Sequence, residues 1–150
     1  MIVLDTNVLS ETMKPRPEPQ VLAWVNSVPP RQTAITAVTV AEILYGICRL
    51  PNGARRAKLM AAAQAIFDED FRGRILAFDT DAAVEYAKLV VEREAAGLPI
   101  SMADAQIAAI CRVHECTLAT RNTEDFVGTG VTVANPWTDR SPGVGESRDP

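Results

Sequence analysis

The chain opens Met1-Ile2-Val3-Leu4-Asp5-Thr6-Asn7, four apolar residues that stop abruptly at a carboxylate. A short apolar run without a polar face marks a strand buried on both sides, and such strands belong to parallel sheets covered by helices. The same pattern recurs downstream at Thr33 to Thr36, Ile75 to Phe78, Thr117 to Thr120 and Val131 to Val133. Between these runs the apolar residues take helical spacing, over Thr6 to Thr12, Gln20 to Ser27, Val38 to Leu50, Ala54 to Phe67, Thr80 to Ala96 and Ala103 to His114, with a helical turn over Asn122 to Phe126. Lys14-Pro15-Arg16-Pro17-Glu18-Pro19, Pro29-Pro30, Pro51-Asn52-Gly53 and Gly97 with Pro99 supply the breaks. Alternating strands and helices define an α/β domain, a small, mostly parallel sheet flanked by helices. In such folds ligands bind beyond the C-terminal ends of the strands.

At 150 residues the chain fits one domain with a core large enough to need no disulfide or zinc staple. The compact part is expected over residues 1–137. Thr138 to Pro150, rich in Pro, Gly, Ser and charge, is expected to be a disordered tail. Apolar residues are 47% of the chain, but no run approaches the length of about 18 needed to span a membrane. The N-terminus lacks the apolar segment of a signal peptide, and the odd thiol count of Cys48, Cys111 and Cys116 suits a reducing compartment. The expectation is a cytoplasmic protein without a membrane partner. Cys111 and Cys116 have no second pair or His cluster to complete a zinc site. The net charge of −4 argues against a protein that coats nucleic acid, which needs surplus Lys and Arg, but not against an enzyme gripping a short stretch of backbone.

Four carboxylates sit where such a fold gathers its ligands. Asp5 follows the first strand, Asp125 lies just after the strand Thr117 to Thr120, and Glu42 and Asp104 lie near helix starts. Each also has a plain reading. Helix N-termini favour acidic side chains, Thr39-x-x-Glu42, Ser101-x-x-Asp104 and Asn122-x-x-Asp125 resemble capping boxes, and Asp5 suits an N-cap. Two features favour chemistry. The helices carrying Glu42 and Asp104 are apolar on most faces, so both carboxylates are expected to be largely buried, which demands a strong partner. Two carboxylates about 4 Å apart also repel by about 4 kcal/mol at an effective dielectric near 20, and a divalent cation reverses that sign. All-oxygen ligands select magnesium or manganese (Mg2+ or Mn2+), and a hydrated divalent ion activates water against a phosphodiester. On this reading Asp5 and Asp104 are the principal ligands, Glu42 binds directly or orients water, and Asp125 or Asn122 completes the rim.

These residues also lie in recognisable motifs. Leu4-Asp5-Thr6-Asn7-Val8-Leu9, Thr39-Val40-Ala41-Glu42-Ile43-Leu44-Tyr45-Gly46, Ile100-Ser101-Met102-Ala103-Asp104-Ala105-Gln106-Ile107-Ala108-Ala109 and Ala119-Thr120-Arg121-Asn122-Thr123-Glu124-Asp125-Phe126 resemble, in order, the four acidic motifs of PIN-domain nucleases. Asn135-Pro136-Trp137 resembles the ending of one branch. The likeness runs from Met1 to about Trp137 and is greatest to the VapC and FitB kind of toxin in type II toxin–antitoxin pairs. It implies a PIN-like three-layer sandwich and a magnesium-dependent endoribonuclease acting on RNA. It also implies a homodimer or dimer of dimers, and an antitoxin that carries a DNA-binding domain and inserts a segment into the active-site groove. Asn122 stands where some relatives carry the fourth acid, so either Asp125 substitutes or three carboxylates suffice.

Thr6, Asn7 and Ser101 are candidates to support the metal or to touch phosphate, or else are simple helix-start residues. Arg121, beside the fourth motif, is a candidate phosphate contact. Arg55, Arg56 and Lys58 read as a solvated face, His114 as a residue near a helix C-terminus, and Trp24 and Trp137 as core or interface rather than base-stacking residues. A competing function is a catalytically silent partner of a DNA-binding antitoxin in operon autoregulation. A haloacid-dehalogenase-type phosphatase would want an Asp at position 7, where Asn7 stands. A receiver domain would want a late lysine, and Lys88 is the last.

Overall fold

The structure is a computed structural model and describes residues 1–142. In chain order the elements are β1 (Ile2–Leu4), α1 (Thr6–Thr12), α2 (Pro19–Asn26), β2 (Thr33–Thr36), α3 (Ala37–Cys48), α4 (Ala54–Ala65), β3 (Ile75–Leu76), α5 (Thr80–Ala95), α6 (Met102–His114), β4 (Thr117–Ala119) and β5 (Val133–Ala134). A 3₁₀ turn over Pro30–Gln32 precedes β2, a π turn over Ile66–Asp70 extends α4, and a 3₁₀ turn over Thr123–Phe126 follows β4.

The strands form one sheet in the order β3-β2-β1-β4-β5, with every pairing parallel. Successive strand residues face opposite sides, and the two cores show it. Leu4, Ile35 and Ala119 join the residues of α1 to α4 on one face, with Trp24 buried among them. Val3, Ala34 and Leu118 pack on the other face with Leu89 of α5 and Ile107, Ala108 and Cys111 of α6. This is the expected three-layer α/β sandwich.

The order also fixes where a ligand site can open. From β1 the chain builds outward through β2 and β3, then returns to add β4 and β5 on the other side. The order therefore reverses between β1 and β4, and a crevice forms at the C-terminal ends of strands at such a switch point. Leu4 pairs with Ala119, so Asp5 and Thr120 are the first residues beyond the paired strands at that crevice.

Several boundaries differ from the sequence reading for local reasons. The last strand falls at Val133–Ala134 rather than Val131 to Val133, because Gly128 and Gly130, both at φ +75°, turn the chain beforehand. The edge strand β3 ends at Leu76, and α4 passes into the π turn before Phe67. The turn after β5 continues past Trp137: the N–H groups of Thr138 and Asp139 both donate to the Asn135 carbonyl. That turn overlaps the start of the expected tail, and residues 143–150 lie outside the described part. Among the described residues no helix is long and apolar enough to cross a membrane.

Leu118 is wholly buried in β4 and packs in the core between the sheet and α5 and α6. Leu118→Ala should lower unfolding stability by about 2–5 kcal/mol, the range for a buried leucine truncation. Urea denaturation should show a lower midpoint at unchanged slope.

Candidate active site

Asp5 is the centre of the crevice. It caps α1 from the end of β1, and its Oδ1 accepts the Thr6 N–H at 2.8 Å. Its Oδ2 accepts the Thr120 hydroxyl at 2.8 Å and, more weakly, the Asn7 Nδ2 at 3.4 Å. Asn7 Nδ2 also donates to Thr120 Oγ1 at 3.2 Å, and Asn7 Oδ1 accepts the Arg121 N–H at 3.1 Å. The Asp-Thr-Asn opening thus ties the end of β1 to the end of β4, with Asp5 4% exposed.

Glu42 arrives from the other neighbour of β1. Thr36 ends β2 and caps α3 at once, its hydroxyl accepting the Thr39 N–H at 3.1 Å. With no linker between strand and helix, Glu42 lies in the second turn of α3, beside Thr6. The Thr6 hydroxyl donates to Glu42 Oε1 at 2.8 Å and lies 3.0 Å from the hydroxyl of buried Thr39. Asp104 stands in the first turn of α6, which Ser101 caps by accepting the Asp104 N–H at 3.2 Å. Asp125 lies in the 3₁₀ turn after β4, where its N–H donates to the Asn122 carbonyl. Asn122 makes no side-chain cap, and its N–H donates to Thr120 Oγ1 at 3.1 Å.

The capping readings are therefore half right. Asp5 and Ser101 do cap helices, whereas Thr39 does not, and the Glu42 carboxylate takes a long-range hydroxyl instead. The expectation that Glu42 is buried fails. It lies on the exposed side of α3 with Ala41, Tyr45 and Gly46, because only Ile43 and Ile47 and their neighbours on that stripe face the core. Asp104 is half-buried and Asp125 exposed.

Two of the four carboxylates are perturbed. Burial raises the Asp5 pKa to about 6, and the charges of Asp104 and Glu42 push the same way against the Thr120 and Thr6 donors. Asp104 is raised too, first by burial and then by Asp125 and Glu42, with Ser101 opposing. None of the four forms an ion pair among the described residues. Nor, among those residues, do three Asp, Glu, His or Cys side chains converge tightly enough to enclose a metal ion. The arrangement is an open acidic rim, not a cage.

Other candidates fall out by position. His114 is ten residues along α6 from Asp104, about 15 Å at the helical rise. Cys111 and Cys116 face each other across a helix-ending turn in which Glu115 takes a left-handed conformation. Burial raises both thiols, away from the thiolate a metal ligand needs. Trp24 is core. Arg55 lines a groove of about 320 Å³ between α1, α3 and α4 with Lys14 and Glu42 at its rim. Arg56 instead bonds Asn52.

Three contributors escape sequence reading. Thr120 and Thr39 are single hydroxyls whose partners lie 115 and 33 residues away, and only the parallel register would place them. Arg93 is 4% exposed with no acidic partner among the described residues. Its guanidinium donates to the Val127 and Pro99 carbonyls, which braces the segment leading to Ser101 against the segment leaving Asp125.

A parallel three-layer domain with carboxylates gathered at its switch point matches the PIN domain over residues 2–129, and the chain belongs to that family. It is 40% identical to Toxin FitB of Neisseria gonorrhoeae over 139 residues, covering 93% of this chain and 100% of that protein. It is 39% identical to VapC ribonuclease Y4jK of Sinorhizobium fredii over 137 residues, covering 91% and 98% respectively. The solved structure of FitAB bound to the IR36 DNA fragment contains a chain that superposes with a TM-score of 0.88 at 38% identity, covering 93% of this chain and 98% of that one.

The raised Asp5 pKa has a direct consequence for stability. Its folded value of about 6 exceeds the ordinary 3.8, so the folded state holds its proton more tightly than the unfolded state. The penalty of the buried charge is absent below about pH 4 and fully present above about pH 6, roughly 3 kcal/mol at about 1.4 kcal/mol per pH unit. Without divalent cations, wild-type stability should fall between pH 4 and 7 relative to Asp5→Asn. That variant keeps a capping side chain and should be the more stable of the two at pH 8. Urea melts across pH in EDTA read the difference.

Proposed function

We propose that this chain is an Mg2+- or Mn2+-dependent endoribonuclease and the toxin of a type II toxin–antitoxin pair. The observation that carries the reading is the cluster of Asp5, Glu42 and Asp104 at the switch point of the sheet, where burial, reinforced by neighbouring carboxylates, raises Asp5 and Asp104 and none of the three has a cationic partner among the described residues. A structural role would favour an arginine there, whereas here the supporting groups are hydroxyls and N–H donors. The names of the relatives, a toxin and a ribonuclease, point the same way.

The residues fit a hard divalent ion by donor type, all oxygen, and also by openness. Magnesium keeps several waters and takes one or two carboxylates together with substrate phosphates, in preference to an all-protein cage. Asp5 and Asp104 would hold it, with Glu42 and Asp125 at the margin. When bound, the ion lowers the pKa of a coordinated water and stabilises charge on the phosphodiester. The chain's own contribution is preorganisation. Thr120 and the Thr6 N–H fix the Asp5 carboxylate, the Thr6 hydroxyl fixes Glu42, and Ser101 sets the first turn from which Asp104 projects. Exposed Glu42, held by one oxygen, is suited to receive a proton from attacking water. Asp125 would fill the fourth position in preference to Asn122, because its carboxylate carries the charge that a neutral carboxamide lacks.

The proposed partners are RNA, a second copy of the chain, and an antitoxin with a DNA-binding domain. The solved FitAB assembly on a DNA fragment supports the last of these. A catalytically silent role in autoregulation remains the competing outcome of the assay.

The purified chain should cleave single-stranded RNA in Mg2+ or Mn2+ and stop in EDTA. Asp5→Asn and Asp104→Asn should each slow cleavage at least about 100-fold, the scale for losing one preorganised electrostatic group, with thermal stability retained. Cleavage indifferent to both changes would remove the site assignment. No metal-dependent cleavage by wild type, with antitoxin binding intact, would favour the silent role.

A further inference from the structure

Resting on the nuclease reading above, we propose that Arg121 and Trp137 form a phosphate-gripping subsite for the RNA strand, on the side of the acidic rim where β4 and β5 meet α1. Arg121 directly follows Thr120, the hydroxyl donor to Asp5, and its own N–H is held by Asn7 Oδ1 at 3.1 Å. Its backbone is therefore fixed by the same knot that positions the central carboxylate. Its guanidinium carbon lies 5.0 Å from the centroid of the Trp137 ring.

The ring is a firm platform. Trp137 packs against the core formed by α1 to α4, and its backbone N–H donates to Asn135 Oδ1 at 3.0 Å. The Asn135 N–H in turn donates to Asp139 Oδ2 at 2.7 Å, closing the turn that presents the ring.

Arg121 differs from the other cations around the crevice. Lys14 is taken by Glu11 at 2.6 Å. Arg55 stands in the groove lined by Glu42 and Leu59. Arg121 is exposed, and although its charge reaches the Glu11 carboxylate that Lys14 pairs, its guanidinium makes neither an ion pair nor a hydrogen bond among the described residues. Stacking on an aromatic face orients the planar fork while leaving its N–H donors open, the geometry that takes two oxygens of a phosphate at once. A simpler role, an arginine shielding one face of a tryptophan, accounts for the stack but not for its place next to Thr120, the donor in the Asp5–Thr120 bond. A phosphate rather than a partner's carboxylate suits that place, because a strand whose scissile phosphate reaches the rim carries neighbouring phosphates past Arg121. The uncovered part of the ring can also stack on a base.

The test uses the full chain with Asp104→Asn, so that RNA is bound but not cleaved, and a fluorescein-labelled single-stranded oligoribonucleotide titrated at several salt concentrations. Adding Arg121→Ala should weaken binding roughly tenfold and reduce the slope of log affinity against log salt by about 0.7, the value of one single-strand phosphate contact. Arg121→Lys should keep the slope and lose part of the affinity. Trp137→Leu should do the same, with thermal melting as its folding control. In the cleaving enzyme, Arg121→Ala should raise KM and leave kcat within about twofold, the mark of lost ground-state binding. Unchanged affinity and slope in Arg121→Ala, with the Asp104→Asn parent binding RNA, would overturn the subsite and leave the nuclease reading standing. No saturable RNA binding by the parent would overturn both.

Discussion

A carboxylate buried at the C-terminal edge of the sheet without a neutralising cation, and with further acids beside it, is the constraint around which the rest of this structure is arranged. Asp5 is almost fully buried, yet no arginine or lysine neutralises it among the described residues. Its oxygens are met instead by a backbone N–H, a hydroxyl and an amide. Neutral donors reduce the cost of burial without cancelling the charge, which is why burial still lifts the pKa to about 6. On the proposed reading, the local instability is the same arrangement that would receive a divalent ion.

The sheet order makes that arrangement possible. Because β1 is central, the residue after it has neighbours on both sides, Thr36 with α3 from β2 and Thr120 from β4. Both neighbouring chains turn at once into the segments that carry Glu42 and Asp125. Asp104 comes from a different direction, at the start of α6, which packs with α5 across the opposite face of the sheet. The rim therefore draws on both helical layers, and Arg93 links the two loops that flank its α6 side. Distortion of either layer is transmitted to the spacing of the acids.

The net charge of −4 bears on how such a protein meets RNA. A surface of this sign repels a polyanion at a distance, so any grip must come from a few placed cations close to the cleft. Arg121 on Trp137 is the cation proposed for that role, its backbone N–H held by Asn7, which also bonds Asp5.

Much of this was legible in the sequence. Short apolar runs alternating with helical periods determined the layered parallel fold, because a strand without a polar face has to be covered on both sides. The motifs around Asp5, Glu42, Asp104 and Asp125 marked the acidic residues because they sit where strands end and helices begin. Sequence could not determine exposure: α3 reads as apolar all round, yet only one stripe of it meets the core, and Glu42 lies outside that stripe. Nor could it identify Thr120, Thr39 or Arg93, whose importance comes entirely from partners distant in the chain. A carboxylate at a strand end is a local fact written in neighbouring residues. Which hydroxyl supports it, and which cation is left open beside it, depends on strand register and layer packing, and those exist only once the whole chain has closed on itself.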